Sequence, residues 1–317
     1  MQFSRAVSLL TIAVCALVLP VDAGAQNPGR VLNGFRFLPS SLIPSPFVTT
    51  YIRTATGGGI ASNLSSLFVD VDGDTLGTLT GDVAFMTLAF EFQQQFGGWL
   101  AVRAGFAGSA RMGVDEQSLL AEGLTGIASL NLGATARIWH NENWIVSGAV
   151  DFGSDEFVGL DPFGFAQSVI DSGGLSKDNS LVTSTSTTGA RGSGRVAWAP
   201  KKWLGLTGFL GVTSTDVSSS SSSDLFVGGG ATVAVDLGQL NWPSIGLLLG
   251  YVSEGANRGT DLAKRSTGIT GAVMYTGRHD FSVGLEATSR KFKRATDDPD
   301  FSALLVTFNI RYWFSGG

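Results

Sequence analysis

Ten ionisable residues stand inside stretches where apolar and polar side chains alternate: Glu91, Arg103, Arg137, Asp151, Arg195, Asp236, Glu254, Glu286, Arg290 and Arg311. A guanidinium offers a planar fork of donors, and a carboxylate accepts two of them at once. Such a set has two uses. The pairs cross-link a wall and satisfy one another, or they line a water-filled path and sort solutes by charge. The same polar face carries Gly105, Ser129, Gly133, Ser147, Gly228, Gly230, Gly250 and Gly284, whose small side chains predict free space beside the charges.

Other constellations are weaker. Asp70, Asp72 and Asp74 resemble the start of a calcium loop, with carboxylates at alternate positions. The full pattern wants Gly sixth and an acid twelfth, where Thr75 and Gly81 stand, so an acidic solvated loop is the default reading. No other cofactor is expected. A His-activated serine needs a histidine near it. The two histidines, His140 and His279, both fall in short turns, and no convergent carboxylate cluster stands out, so no enzyme is expected. The net charge of −5 and the lack of a basic stripe exclude nucleic acid as a partner. Arg258, Lys264 and Arg265, with Lys291, Lys293 and Arg294, form a basic group suited to lipopolysaccharide phosphates. Asp297, Asp298 and Asp300 follow closely, and internal neutralisation explains the group equally well.

These residues need elements to hold them, and the alternation identifies the elements as strands. Leu304, Val306, Phe308, Ile310, Tyr312 and Phe314 share one face, opposed by Thr307, Asn309 and Arg311. Twelve such segments occur, near 47–56, 82–94, 99–110, 126–139, 144–154, 187–198, 203–214, 225–236, 243–254, 267–277, 280–290 and 301–313. Segment 187–198 is the weakest, because a Ser/Thr run blurs its start. The connections alternate between short turns and long loops. A secreted β-sandwich would also alternate in hydropathy, but its connections need not.

Composition agrees. Apolar residues make up 44% of the chain and charged residues only 15%, with 43 glycines. Beyond the first residues, no apolar run is long enough for a spanning helix. A closed barrel resolves this by facing apolar residues to lipid while every backbone group bonds between strands. All seven tryptophans flank short turns, at what becomes one end of such a barrel. Indole favours a membrane–water interface. Strict alternation sends Trp144 and Trp198 to lipid and aims Trp99, Trp139 and Trp313 at the lumen.

The expected fold is therefore all-β: a single transmembrane antiparallel up-and-down barrel of about twelve strands, with ten or fourteen as alternative counts. Residues 1–25 read as a cleaved signal peptide, with Arg5, an apolar stretch and Ala23-Gly-Ala25. Residues 26–46, rich in proline, are not strand-like and read as a periplasmic segment or a lumen plug. The barrel spans 47–314, and 315–317 is a tail. The lone Cys15 falls in the leader, which leaves the rest without cysteine.

On this pattern the chain resembles bacterial outer-membrane β-barrel proteins as a broad class. Phe314, preceded by Tyr312, Ile310, Phe308 and Val306, is similar to the terminal signal that barrel assembly machinery reads, although Ser315-Gly-Gly317 follows. The resemblance implies a Gram-negative outer membrane, with lipid and lipopolysaccharide as surroundings. The expected function is a porin-like channel or transporter for small-molecule solutes. One alternative is a non-conducting barrel for surface binding or envelope stability. The other is uptake of apolar compounds through the long loop 155–186, where Phe163, Phe165, Val169 and Ile170 form a constriction or pack on the rim.

Overall fold

A computed structural model describes residues 29–69, 75–114, 124–160, 182–217, 224–255, 265–293 and 300–314. The barrel strands are β3 (Tyr51–Val69), β4 (Thr75–Phe96), β5 (Leu100–Gly113), β6 (Leu124–His140), β7 (Trp144–Leu160), β8 (Val182–Lys201) and β9 (Leu204–Val217). They continue with β10 (Asp224–Asp236), β11 (Ile245–Gly255), β12 (Arg265–Tyr275), β13 (Phe281–Lys293) and β14 (Phe301–Trp313). Each pairs antiparallel with its sequence neighbour, and β14 pairs with β3, closing a barrel of twelve strands. Closure leaves no unpaired edge in the wall, as hydrocarbon surroundings demand.

The alternation has a direct counterpart in burial. Met86, Leu88, Phe90, Leu210, Leu225, Leu249, Ile269 and Leu285 are all exposed on the outer wall. Their partners in alternation, such as Thr270, Glu286 and Asn309, are buried inside. In water such an outer surface would be strongly disfavoured, but in lipid it is matched to its solvent.

Several strands run further than the apolar alternation implied. β3 and β4 reach 19 and 22 residues, and β8 reaches 20. Their additional length is rich in Gly, Ser and Thr, as in Gly57-Gly58-Gly59 and Thr183-Ser184-Thr185-Ser186. Gly58 and Ile60 pair with the outward-facing Val306 and Leu304, and the ladder there needs inter-strand hydrogen bonds but not an apolar side chain on every residue. The period-two signal therefore fades while the ladder continues.

At the other end β3 begins at Tyr51, because Phe47 and Val48 turn into the lumen and are buried there. They belong to an inner segment, 29–50. It starts with a small hairpin of β1 (Val31–Leu32) and β2 (Phe35–Arg36), in register Leu32 with Phe35. Its two-residue turn, Asn33-Gly34, has φ of 48° and 78°. Positive φ at both positions is what a type I′ hairpin turn requires, and Asn-Gly supplies it at low steric cost.

The molecule's main apolar core lies inside the barrel, at the short-turn end. Leu32, Phe35, Phe37, Leu38 and Phe47 of the inner segment pack with Ile145, Ala197, Ala199, Ala234, Leu248, Ala272 and Met274 of the wall. Phe37 sits edge-on to Phe35 at 4.9 Å and tilted against Phe47 at 5.0 Å.

Candidate functional site

The lumen has two levels with different chemistry. On the short-turn side the inner segment is bound to the wall around most of its circumference. Asn33 donates from its backbone to Glu142 O (2.7 Å) and from its side chain to Ala199 O (3.1 Å). Arg36 reaches Thr276 O and Arg278 O at 2.6 and 2.8 Å. Ser147 Oγ donates to Pro46 O (2.6 Å), and Gln93 Nε2 donates to Thr49 O (2.8 Å) and Phe47 O (3.2 Å). These partners stand on β4, β7 and β8 and in turns across the barrel, so the segment crosses the lumen rather than lining one side.

Glu286 anchors the middle of the segment. It is 1% exposed, and its carboxylate accepts from Ser41 N (3.0 Å), Ser40 Oγ (3.1 Å) and Thr270 Oγ1 (3.0 Å). A carboxylate removed from water needs such donors, since an unsatisfied buried charge is very costly. Asp236 does similar work at the β10–β11 turn. It caps Gly238 N at 3.1 Å and accepts from Thr276 Oγ1 at 2.9 Å.

The second level lies above the segment, at mid-barrel. Asp151 is bridged by Arg103 (2.5 Å) and by Arg195. Glu91 takes Tyr51 Oη at 2.6 Å and faces Arg103 and Arg311 at 3.9 and 3.8 Å. Glu254 is bridged by Arg191 (3.0 Å) and Arg290 (3.5 Å). Arg191 stands on β8 and Glu254 on β11, so this pair spans two intervening strands across the curve of the wall. Arg53 gives two hydrogen bonds to neutral Asn309 Oδ1, at 2.8 and 3.2 Å. Arg195 joins the levels, since its Nη1 also donates to Ser45 O (3.3 Å) of the inner segment.

The ten ionisable residues singled out from sequence thus separate into groups. Glu91, Arg103, Asp151, Arg195, Glu254, Arg290 and Arg311 meet in the mid-lumen clusters. Asp236 and Glu286 are buried beneath them. Arg137 sits near the short-turn end, its backbone N donating to Trp99 O at 2.7 Å. Arg53 and Arg191 were missed. Their parity with Tyr51 and Arg195 was the available signal, obscured by the glycine-rich and Ser/Thr-rich sequence nearby.

The small inward residues do not keep a path clear, contrary to expectation. A Cβ on Gly230 would meet Ile43 Cδ1 at 2.7 Å, and one on Gly228 would meet Glu254 Cγ at 2.9 Å. A Cβ on Gly133 would overlap the Asp151 carboxylate, and Ser147 binds the segment directly. Gly205 and Gly246 complete the pattern, receiving the Phe35 ring and the Leu38 side chain. Gly205, Gly230 and Gly246 are sockets for side chains of the inner segment, whereas Gly105 meets no atom closer than 3.5 Å. Between the segment, Tyr51, Arg311 and Trp313 there remains a cavity of about 30 Å³, room for little more than a water molecule.

The tryptophans also depart from strict alternation. A bulge between Arg137 and Trp139 resets the parity of β6, leaving Trp139 50% exposed on the outer face. Trp99 lies in the turn after β4 and is 56% exposed. Trp144 and Trp198 stack at 5.0 Å across neighbouring strands. Trp313 does turn inward, buried beneath the Arg30 guanidinium at 3.7 Å.

Some sequence candidates lie outside the described residues: Asp70, Asp72 and Asp74; Phe163, Phe165, Val169 and Ile170; and Arg258, Lys264 and Arg294. Of the basic group, Arg265, Lys291 and Lys293 are exposed on the paired strands β12 and β13.

No protein-family model matches the chain, and no curated protein matches its sequence at a significant level. Solved structures do match in shape. One is an outer membrane channel from Pseudomonas putida F1, with 12% identity, a TM-score of 0.53, and coverage of 88% of this chain and 100% of that one. Another is the transport unit of the autotransporter AIDA-I from Escherichia coli, with 9% identity, a TM-score of 0.50, and coverage of 88% and 94%. The chain has the fold of bacterial outer-membrane β-barrels.

Proposed function

We propose that this protein is an outer-membrane channel for small solutes, held shut in its resting state by its own N-terminal segment. After export and removal of residues 1–25, the short turns and the inner segment face the periplasm, and the long loops face outward. Lipid surrounds the apolar wall, and lipopolysaccharide phosphates meet Arg265, Lys291 and Lys293 at the outer rim. The observation that carries the reading is the inner segment itself. It enters the lumen from the end at which it joins β3, so its withdrawal breaks no strand pairing. What it would uncover is a charged, partly hydrated lumen, the kind of surface on which a path selects by charge.

Planar-bilayer recording tests this directly. The intact chain is expected to be silent for most of the time, and a chain lacking 29–50 is expected to show stable unit conductance. A silent shortened barrel that has folded, as judged by heat-modifiable migration, would sink the channel reading. It would favour a non-conducting barrel that stabilises the envelope. The number of bonds between segment and wall is the specific observation behind that second reading, because a gate that must open often is usually held by fewer contacts.

A further inference from the structure

The mid-lumen clusters are unbalanced. Three carboxylates, Glu91, Asp151 and Glu254, stand among six arginines, Arg53, Arg103, Arg191, Arg195, Arg290 and Arg311. The whole chain is acidic, so this cationic excess is local. Its donors are also incompletely used. The buried Nε atoms of Arg191 and Arg311 have no hydrogen-bond partner. Arg311 is itself only 7% exposed, and a buried unpaired donor is a standing cost to the layer. Two of the cations are held against ring faces: Arg191 over Phe209 at 4.6 Å and Arg311 over Tyr51 at 4.4 Å. Stacking fixes the guanidinium plane and leaves its edge free to donate. The side chains of Arg191, Arg103 and Arg290 are 25%, 20% and 35% exposed, so the layer is in contact with lumen water.

We infer that this layer is a binding site for small organic carboxylates. It rests on the reading above that the lumen is a path for small solutes, and it names their class. The wall already shows the matching geometry three times: Glu91, Asp151 and Glu254 each lie between two guanidinium groups. An incoming carboxylate takes the same kind of place on the exposed guanidinium groups of Arg103, Arg191 and Arg290, neutralising part of the excess. No covalent step is involved.

Isothermal titration in detergent tests the assignment on the full chain and on a Phe35→Ala chain, whose loosened segment admits ligand from the short-turn side. Sodium benzoate, sodium phosphate and benzylamine hydrochloride are compared at constant ionic strength. Saturable benzoate binding to at least one chain is expected, with none for benzylamine. The Arg191→Gln/Arg290→Gln pair is expected to weaken benzoate at least about tenfold, the loss of one charge-assisted hydrogen bond. Arg278→Gln, in the β12–β13 turn outside the layer, should leave binding unchanged. Silence with benzoate in both chains, or phosphate binding as tightly as benzoate, overturns the carboxylate assignment. Binding is read without conductance. A barrel that binds benzoate but never conducts fails only as a channel, and one that conducts without binding fails only here.

Discussion

The short-turn half of the lumen and its middle are enclosed by the same strands, yet they are filled on opposite principles. Below, apolar side chains of one segment fit glycine sockets in the wall, and Asn33, Arg36, Ser40 and Ser41 bond to wall groups. Above, arginines outnumber carboxylates and several of their side chains are a fifth or more exposed. The lower level has the properties of a protein core, where fit is decided within a methyl group. The upper level has those of a site, where unsatisfied groups are retained because a ligand satisfies them. A wall that served stability alone would have little reason to keep that excess.

The largest expected effect comes from putting the wrong chemistry in the lower level. Phe35→Asp places an unpaired carboxylate where the ring is fully buried, at a cost of roughly 4 kcal/mol or more. The segment should leave the lumen, and trypsin should then cut after Arg30 and Arg36, which the parent protects. Continued protection would mean that the segment is not held by this core. Next is Gly205→Ala, whose methyl group overlaps the Phe35 ring, for a loss of about 1–3 kcal/mol. It should speed the same cleavage, and adding Phe35→Leu should restore part of the protection.

Glu286→Gln keeps the shape but weakens three hydrogen bonds from charge-assisted to neutral, roughly 1–2 kcal/mol in all. Slower hydrogen exchange at Ser41 than at exposed loop amides is expected in the parent, and faster exchange in the variant. Arg103→Gln belongs to the upper level only. It should change trypsin protection of the segment by less than about 0.5 kcal/mol. A larger change would show that the two levels are one cooperative unit, joined through Arg195 and Ser45.

The smallest effect lies at the outer edge of the lower level. In the β12–β13 turn the Arg278 hydrogen bond holds the Asp280 carboxyl below its usual pKa. Its contribution to the turn is therefore complete at neutral pH, and it is lost as pH falls through the lowered value. Titration of the Asp280 carboxyl by NMR should show that depressed midpoint. Arg278→Gln should bring it back toward an ordinary aspartate.

Much of this molecule was legible as pattern. The twelve strands were visible because lipid imposes an apolar face on every strand, and residues such as Leu304, Val306 and Phe308 record that constraint one by one. The end at which the tryptophans gather followed from the same strands. Three features were not legible, each for a physical reason. The bulge at Trp139 inserts a residue without any compositional mark. The additional reaches of β3, β4 and β8 are rich in Gly, Ser and Thr, which carry no period-two signal although the ladder continues. The inward glycines look identical whether they border water or a phenyl ring, since a missing side chain does not say what replaces it. One feature was legible and passed over: Asn33-Gly34, between Val31-Leu32 and Phe35-Arg36, is a strong hairpin signal, hidden among the prolines that follow. Of the site, the identity of the charged residues could be read from parity. Which carboxylate each arginine meets could not, because that depends on curvature across strands far apart in sequence.

The Gly205 socket has a consequence for how such a chain varies. Residues 35 and 205 are separated by most of the barrel in sequence, but they share one volume. A larger residue at 205 is tolerable only with a smaller one at 35, and the same holds for 38 with 246. The inner segment and the inner wall must therefore change together over generations. Among related chains, compensating sizes at these two pairs would be the inherited imprint of a segment that spends its time inside.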